Sequence, residues 1–296
     1  MTSSHASESI ARLAKRIPPG TWDTHMHVVD PPLFPLSQTA QYQPSPHTLS
    51  QARTFLTNQL GIEHLVIVQP SIYGTDNACT LDALRRLGPE KARAVVQFDP
   101  EVISQAELSD WYAIGVRGVR LNFKSVGREV RPEELRDEVL RHAHAAAHLP
   151  SWVIGLYIPM SSVPLLEPVV PLLPPGMKLC IDHFGSPDPS ALCLPPHDIP
   201  GFPSLLRLLQ GGGTWVKLSA GYRVSGDPRD QGLEAVCKAL VRQRADRCVF
   251  ATDWPHTRFE GVQVAGFVEA VMDWVEEEGV EFKTVGVDNA EVLFGR

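Results

Sequence analysis

Eight short apolar runs recur along this chain of 296 residues, at 21–29, 64–71, 92–99, 116–122, 152–158, 178–184, 214–220 and 247–254. Most are near-continuously apolar, the pattern of strands buried on both faces. Stretches long enough for helices separate them. The clearest is 132–148, where PEELRDEVLRHAHAAAH places acidic residues in the first turn and helix formers throughout. Residues 231–244 and 261–278 also read as helices. Strands alternating with helices in this number predict a closed (β/α)8 TIM barrel rather than an open doubly wound sheet, because both chain ends then contribute to one site. The expected layout is an N-terminal extension over 1–20 and a single barrel domain over 21–296, an ordinary size for this fold.

Side chains alternate along a strand, so His25 and His27 in the first run point to the same side. If the first and last runs are neighbours in a closed barrel, Asp253 of Thr252-Asp253-Trp254-Pro255-His256 stands beside that imidazole pair. Two imidazoles and a carboxylate converging there suit activation of water or capture of a metal. Two inter-strand segments do not read as plain helices: 30–47 carries five prolines plus Tyr42, and 186–203 carries six prolines. Both follow the C-terminal ends of strands, where barrel active sites sit, and are expected to be lids or substrate walls rather than braces.

The formal net charge is −7 without any Lys/Arg run, which argues against nucleic acid or an anionic membrane as partner. Any anionic substrate must then meet locally placed arginines. The five cysteines are scattered and free of C-x-x-C spacing, so no disulfide framework is expected. No apolar stretch is long enough to span a bilayer, and 1–20 lack the apolar segment of a signal peptide. A cytoplasmic enzyme acting on a small molecule, of undetermined oligomeric state, is the expectation.

Polar residues gather at the trailing ends of the runs: Gln69 to Asn77 after the second, Arg117 to Asn122 in the fourth, Tyr157 in the fifth, Asp182 and His183 in the sixth, Lys217 to Arg223 in the seventh. Rim solvation would explain any one of them, but not readily the set. The motifs D-x-H-x-H, Q-x-S-x-x-G-T-D-N, R-G-x-R-x-N-F, D-H-x-G and T-D-W-P-H follow one another in order, and Asn289 to Gly295 close the chain. In these the sequence resembles the amidohydrolase-related family (amidohydrolase family 2), in the branch of the 2-pyrone-4,6-dicarboxylate lactonases. The likeness runs from about Trp22 to Phe294.

That resemblance implies a distorted TIM barrel that hydrolyses a carboxylated lactone. It implies that Asp253 deprotonates the attacking water, a role suited to a carboxylate whose ordinary pKa is ~3.9. His25, His27 and His183 match groups that polarise the lactone carbonyl, although Asp182 could instead fix His183 as a core residue. Arg120 and Arg223 match substrate-carboxylate clamps, whose planar forks suit bidentate contact. Tyr42, Ser71 and Tyr157 match further substrate contacts, and His256 is expected either to orient Asp253 or to cap the strand end. Arg117 is expected to make an outer ion pair or to face the helices. Two family arginines are absent: Ser186 and Val126 hold their places, and neither Lys124 nor Arg128 sits at the right offset. A lactone with one carboxylate, or a neutral one, is therefore expected.

No cofactor is expected. The alternative is one divalent ion, Zn or Mn, held by His25, His27, His183 and Asp253. Against it, the fifth strand offers Tyr157 where many metal-dependent relatives supply a histidine or lysine from the middle strands. A lactone isomerase or a metal-dependent decarboxylase would use the same site. A barrel that binds a small molecule without turnover is the non-enzymatic alternative.

Overall fold

A computed structural model describes residues 2–295. Its strands are β1 Trp22–Met26, β2 His64–Val68, β3 Ala92–Val96, β4 Val116–Asn122, β5 Val153–Tyr157, β6 Lys178–Ile181, β7 Thr214–Leu218 and β8 Cys248–Phe250. They lie parallel in chain order in one sheet. The helices are α1 Thr2–Ala14, α2 Leu49–Ala52, α3 Ala78–Leu87, α4 Gln105–Ala113, α5 Pro132–Ala145, α6 Phe202–Gln210, α7 Gln231–Arg244, α8 Val264–Glu277 and α9 Asn289–Phe294. Helix α5 starts where Pro132 takes its first turn, with Glu133 and Glu134 at the positive end of the dipole. The Asp230 carboxylate caps α7 by accepting from the Leu233 N–H at 2.9 Å.

Single hydrogen bonds close the barrel between β1 with the residue after it and β8 with the chain beyond it. The Thr24 hydroxyl donates to the Phe250 carbonyl at 2.7 Å. The Asp253 N–H reaches the His25 carbonyl at 2.9 Å, and the His27 N–H reaches that of Trp254 at 2.8 Å. Chain start and chain end thus meet where the two motifs lie.

Inside the barrel, Trp22, Val66, Val68, Val95, Val153, Cys180, Trp215 and Val249 pack with Ala290, Leu293 and Phe294 of α9. Helix α9 plugs the N-terminal ends of the strands; the carbonyl of its Leu293 accepts from Lys178, and that of Gly295 just past its end accepts from Arg93. The intervening strand residues, such as Ile67, Leu121, Leu156, Ile181 and Leu218, pack outward in a separate cluster with the helices. Alternation then places Arg120, Tyr157, Asp182, Lys217 and Ser219 inward at the other end of the barrel.

Strand β1 departs from plain alternation. Trp22 belongs to the inner cluster and Met26 to the outer one, although residues four apart should share a face. The pairing with β2 shifts register between Asp23 and Met26, and this turns His25 and His27 inward. Buried Asp23 holds the irregularity: its carboxyl accepts from the His25 and Thr252 N–H groups, each at 3.0 Å, and from the Thr252 hydroxyl.

The two proline-rich segments differ in role. The first folds back so that His47 bridges Val29, and it carries Tyr42 over the barrel mouth. The second forms short turns whose Ala191, Leu192 and Ile199 are buried, and the Leu192 carbonyl lies so close to Gly232 of α7 that a Cβ there would meet it at 2.0 Å. It braces the helices and does not line the mouth, contrary to expectation. The segment before β1 is no loose tail either. Leu13 and Ile17 are buried, and the Arg12 guanidinium pairs with Glu269 of α8 through two bonds of 2.9 Å. Among the described residues no helix is long and apolar enough to cross a membrane.

Candidate active site

Asp253 is the centre of a buried polar cluster at the C-terminal ends of the strands. Its Oδ2 is saturated, accepting from the Tyr222 hydroxyl at 2.6 Å and from Arg223 Nε at 2.7 Å. Its Oδ1 is buried with no hydrogen-bond partner among the described residues. Three imidazole Nε2 atoms surround that oxygen, those of His25 and His27 at 3.7 Å and that of His183 at 3.9 Å. Asp253 adopts φ 61 and His183 φ 55, left-handed values that cost energy for residues with a Cβ and that concentrate at functional sites.

The other ring nitrogens are engaged behind the site. His27 Nδ1 lies 2.7 Å from the Val68 carbonyl, which accepts only, so Nδ1 carries the proton and Nε2 offers a lone pair. His183 Nδ1 is 2.8 Å from the Ser219 hydroxyl. His25 Nδ1 is 2.9 Å from Lys217 Nζ and 3.3 Å from Asp182 Oδ1, and Lys217 and Asp182 pair with each other at 2.9 Å.

Burial would raise the Asp253 carboxyl, but Arg223 and the three histidines outweigh it and hold the group well below the usual carboxylate range. Burial pushes His27 down to about 3, with Arg120 adding to the effect, and His183 down to about 4 against the pull of Asp253. Burial and the Lys217 charge take His25 well below its ordinary value. The site at neutral pH is one carboxylate faced by three neutral rings. An imidazolium is therefore not the resting electrophile.

Of the residues expected from sequence, His27, Tyr42, Ser71, Arg120, Tyr157, His183, Arg223 and Asp253 line one pocket, with His25 buried at its base. Tyr157 meets the His183 ring edge-on at 4.9 Å. His256 is not among them. Its ring lies beside Phe55 and Tyr222 and faces a different groove, lined by Ile10, Trp254 and Gln263, although the His256 backbone N–H donates to the Asp253 carbonyl at 2.9 Å. The His256 side chain thus lines that groove and not the pocket of Asp253. Arg117 turns to the Tyr112 carbonyl, toward the helices as expected.

The cation inventory also differs from expectation. Lys124 Nζ donates to the Ser186 hydroxyl and, at 3.2 Å, to its carbonyl, so an ammonium does reach the place of one absent arginine. Arg258, from the loop after β8, lines the pocket, lies over the Tyr42 ring at 4.3 Å and donates to the Ser125 carbonyl at 3.1 Å. Arg128 is spent elsewhere, on Glu134 and Glu138. Sequence reasoning gave no role to Lys217, saw Asp182 only as a brace for His183, and gave none to Asp23, Tyr222 or Arg258. A lysine and an aspartate at inward positions of doubly buried strands were the available signal for the first two.

The donor set suits a divalent ion. His25, His27 and Asp253, and likewise His25, Asp182 and His183, bring one ligand atom each within 4.8 Å of the others, all buried. His25 Nε2 and Asp253 Oδ1 both lack hydrogen-bond partners. Nitrogen and carboxylate oxygen in this number match the preferences of Zn²⁺ or Mn²⁺.

Residues 22–296 match the amidohydrolase family. A 4-sulfomuconolactone hydrolase of Hydrogenophaga intermedia is 31% identical over 288 residues, covering 95% of this chain and 90% of the relative. A 2-pyrone-4,6-dicarboxylate hydrolase of Comamonas testosteroni is 30% identical over 252 residues, 81% of this chain and 78% of its own. Among solved structures, an Acinetobacter baumannii protein described as a probable 2-pyrone-4,6-dicarboxylic acid hydrolase, with citric acid bound, superposes with a TM-score of 0.77. It is 25% identical, and the match covers 94% of this chain and 100% of that one.

Proposed function

The chain belongs to the amidohydrolase family, and from that premise we propose that it hydrolyses an anionic lactone with Asp253 as general base. The observation that carries the reading is the bare, buried Oδ1 of Asp253 with three imidazole Nε2 atoms at 3.7–3.9 Å. Water held between Asp253 Oδ1 and the His27 Nε2 lone pair gives its proton to the carboxylate as its oxygen attacks the ring carbonyl. His25 and His183 face the carbonyl oxygen, which becomes the oxyanion. The acyl–oxygen bond then breaks, and the leaving oxygen takes the proton back from Asp253. The product is a carboxylic acid and a hydroxyl, with one proton released to solvent at neutral pH.

Arg120, Arg223 and Arg258 around the pocket support a substrate bearing at least one carboxylate or comparable anion. Together with Lys124 behind Ser186, they ease the charge shortage from which a lactone with one carboxylate, or a neutral one, was expected. Relatives that act, by their names, on a sulfomuconolactone and a pyrone dicarboxylate support the same class.

We read the reaction as metal-free. Were an ion bound, His25, His27, His183 and Asp253 would hold it, and it would supply a Lewis acid and a more acidic water. The support for the metal-free reading is Tyr157 on β5 where metal-dependent relatives place a ligand, and an internal cation, Lys217, already pressed against His25. Cysteines that are all free support a reducing, cytoplasmic setting.

Asp253→Asn tests the base, since asparagine tolerates the same positive φ. With a panel of carboxylated lactones followed by proton release, kcat should fall roughly 10²–10⁴-fold at nearly unchanged KM. Retained turnover by the variant would remove Asp253 from the chemistry. Turnover without proton release would make the enzyme an isomerase.

A further inference from the structure

Lys217 stands fully inside the barrel, 2% exposed, between two partners: Asp182 Oδ1 at 2.9 Å and His25 Nδ1 at 2.9 Å. An ammonium has only donors, so the atom it meets at hydrogen-bond distance must supply a lone pair. The carboxylate of Asp182 is one of its two neighbours, facing the ammonium as an ion-pair partner. The other neighbour, His25 Nδ1, must supply a lone pair. A neutral imidazole carries one proton, which then resides on Nε2, the atom aimed at Asp253 Oδ1 without a partner of its own. His27 is set the opposite way by the Val68 carbonyl.

We propose that Lys217 is a positioning residue that fixes His25 in the Nε2–H tautomer, making it a hydrogen-bond donor to the substrate carbonyl and denying that nitrogen to a metal ion. The two neighbouring imidazoles thereby take complementary parts, His27 accepting from water and His25 donating to the oxyanion. The identity of the carbonyl rests on the lactone reading. The tautomer does not. Without Lys217, His25 Nδ1–H would turn to Asp182 Oδ1, now 3.3 Å away, and Nε2 would offer its lone pair to the cluster. Carboxylate, histidine and metal in that order are the usual arrangement of a histidine ligand.

The test needs no substrate, so it can fail independently of the lactone reading. In ¹⁵N-histidine-labelled protein, the His25 Nε2 resonance should have the shift and proton coupling of a protonated nitrogen, and the His27 Nε2 resonance those of a bare one. In Lys217→Met the His25 pattern should invert, and zinc affinity, titrated into chelator-treated protein, should rise roughly ten- to hundredfold, the scale on which groups behind a ligand act. The variant's kcat should fall more than its KM changes. An unprotonated His25 Nε2 in the unmodified protein overturns the proposal without any variant, so it stays testable should Lys217→Met fail to fold. Equal zinc affinity in a folded variant overturns the metal-excluding part.

Discussion

Four buried imidazoles, those of His25, His27, His183 and His256, are kept neutral by their surroundings, and that links the site to the pH dependence of folding. Unfolded histidines take up protons as pH falls below about 6.5. In the fold His27 resists until about 3, and His183 and His256 until about 4, in each case chiefly through burial. His25 lies well below its ordinary value for the same reason, helped by Lys217. Between those limits the unfolded chain binds more protons, so stability falls as pH falls. Asp182 is held well below the carboxylate range by Lys217 and His25 against its burial, and Asp253 is depressed likewise. Both add to the loss only below about pH 4. Asp23 works the other way. Burial pushes it up to about 7, so it stabilises the fold while protonated, and that contribution is lost as pH rises through 7. Four histidines outweigh one carboxyl. The melting temperature should therefore drop steadily from pH 6.5 to 4.5 in calorimetry. A flat or rising profile would mean that the rings are charged in the fold.

At the scale of elements, the strands were legible because both of their faces are buried, and the runs overshoot the true strands where the site lies. The sixth run extends to 184, yet β6 stops at Ile181 because His183 and Phe184 both take φ 55. The eighth extends to 254, yet β8 stops at Phe250 before Asp253 turns left-handed. Apolar patterning records burial but not backbone strain, which tertiary contacts impose. Lys217 illustrates the same limit, since its role depends not only on Asp182, at the end of the neighbouring β6, but also on His25 of β1, which is not adjacent to β7. The loops carry what specificity the strands lack. Arg258 reaches the mouth from the loop after β8 and packs on Tyr42 from the loop after β1. Being exposed, it should contribute at most about 1 kcal/mol to holding an anion. Arg258→Ala should thus raise KM for a carboxylated lactone roughly fivefold, with kcat nearly unchanged. An equal effect on an uncharged ester analogue would show that the arginine shapes the lid rather than binding charge.

Across the whole molecule, chemistry and stability occupy opposite ends of one barrel. The pocket sits at the C-terminal ends of the strands, while α9 seals the N-terminal ends with Ala290, Leu293 and Phe294 against Trp22 and Trp215. This division follows from the fold, since loops can vary at one end only if the packing below does not depend on them. Helix α1 adds stability from outside the barrel, against α8. Its apolar Ile10 and Leu13, three apart, were a faint helical signal in a polar stretch, and packing against α8 rather than local propensity holds it. Phe294 is 1% exposed and far along the chain from any pocket residue. Truncating it to alanine leaves a cavity under the barrel and should cost about 3–5 kcal/mol, read as a lower denaturant midpoint. The folded fraction should keep its kcat and KM, because the bonds that join His25 to Asp253 and His27 to Trp254 lie at the other end. A Phe294→Ala protein that stays stable would show that α9 is a passive tail. One that stays folded but loses kcat would mean that the barrel transmits strain from its floor to Asp253, and that the two ends are not separable.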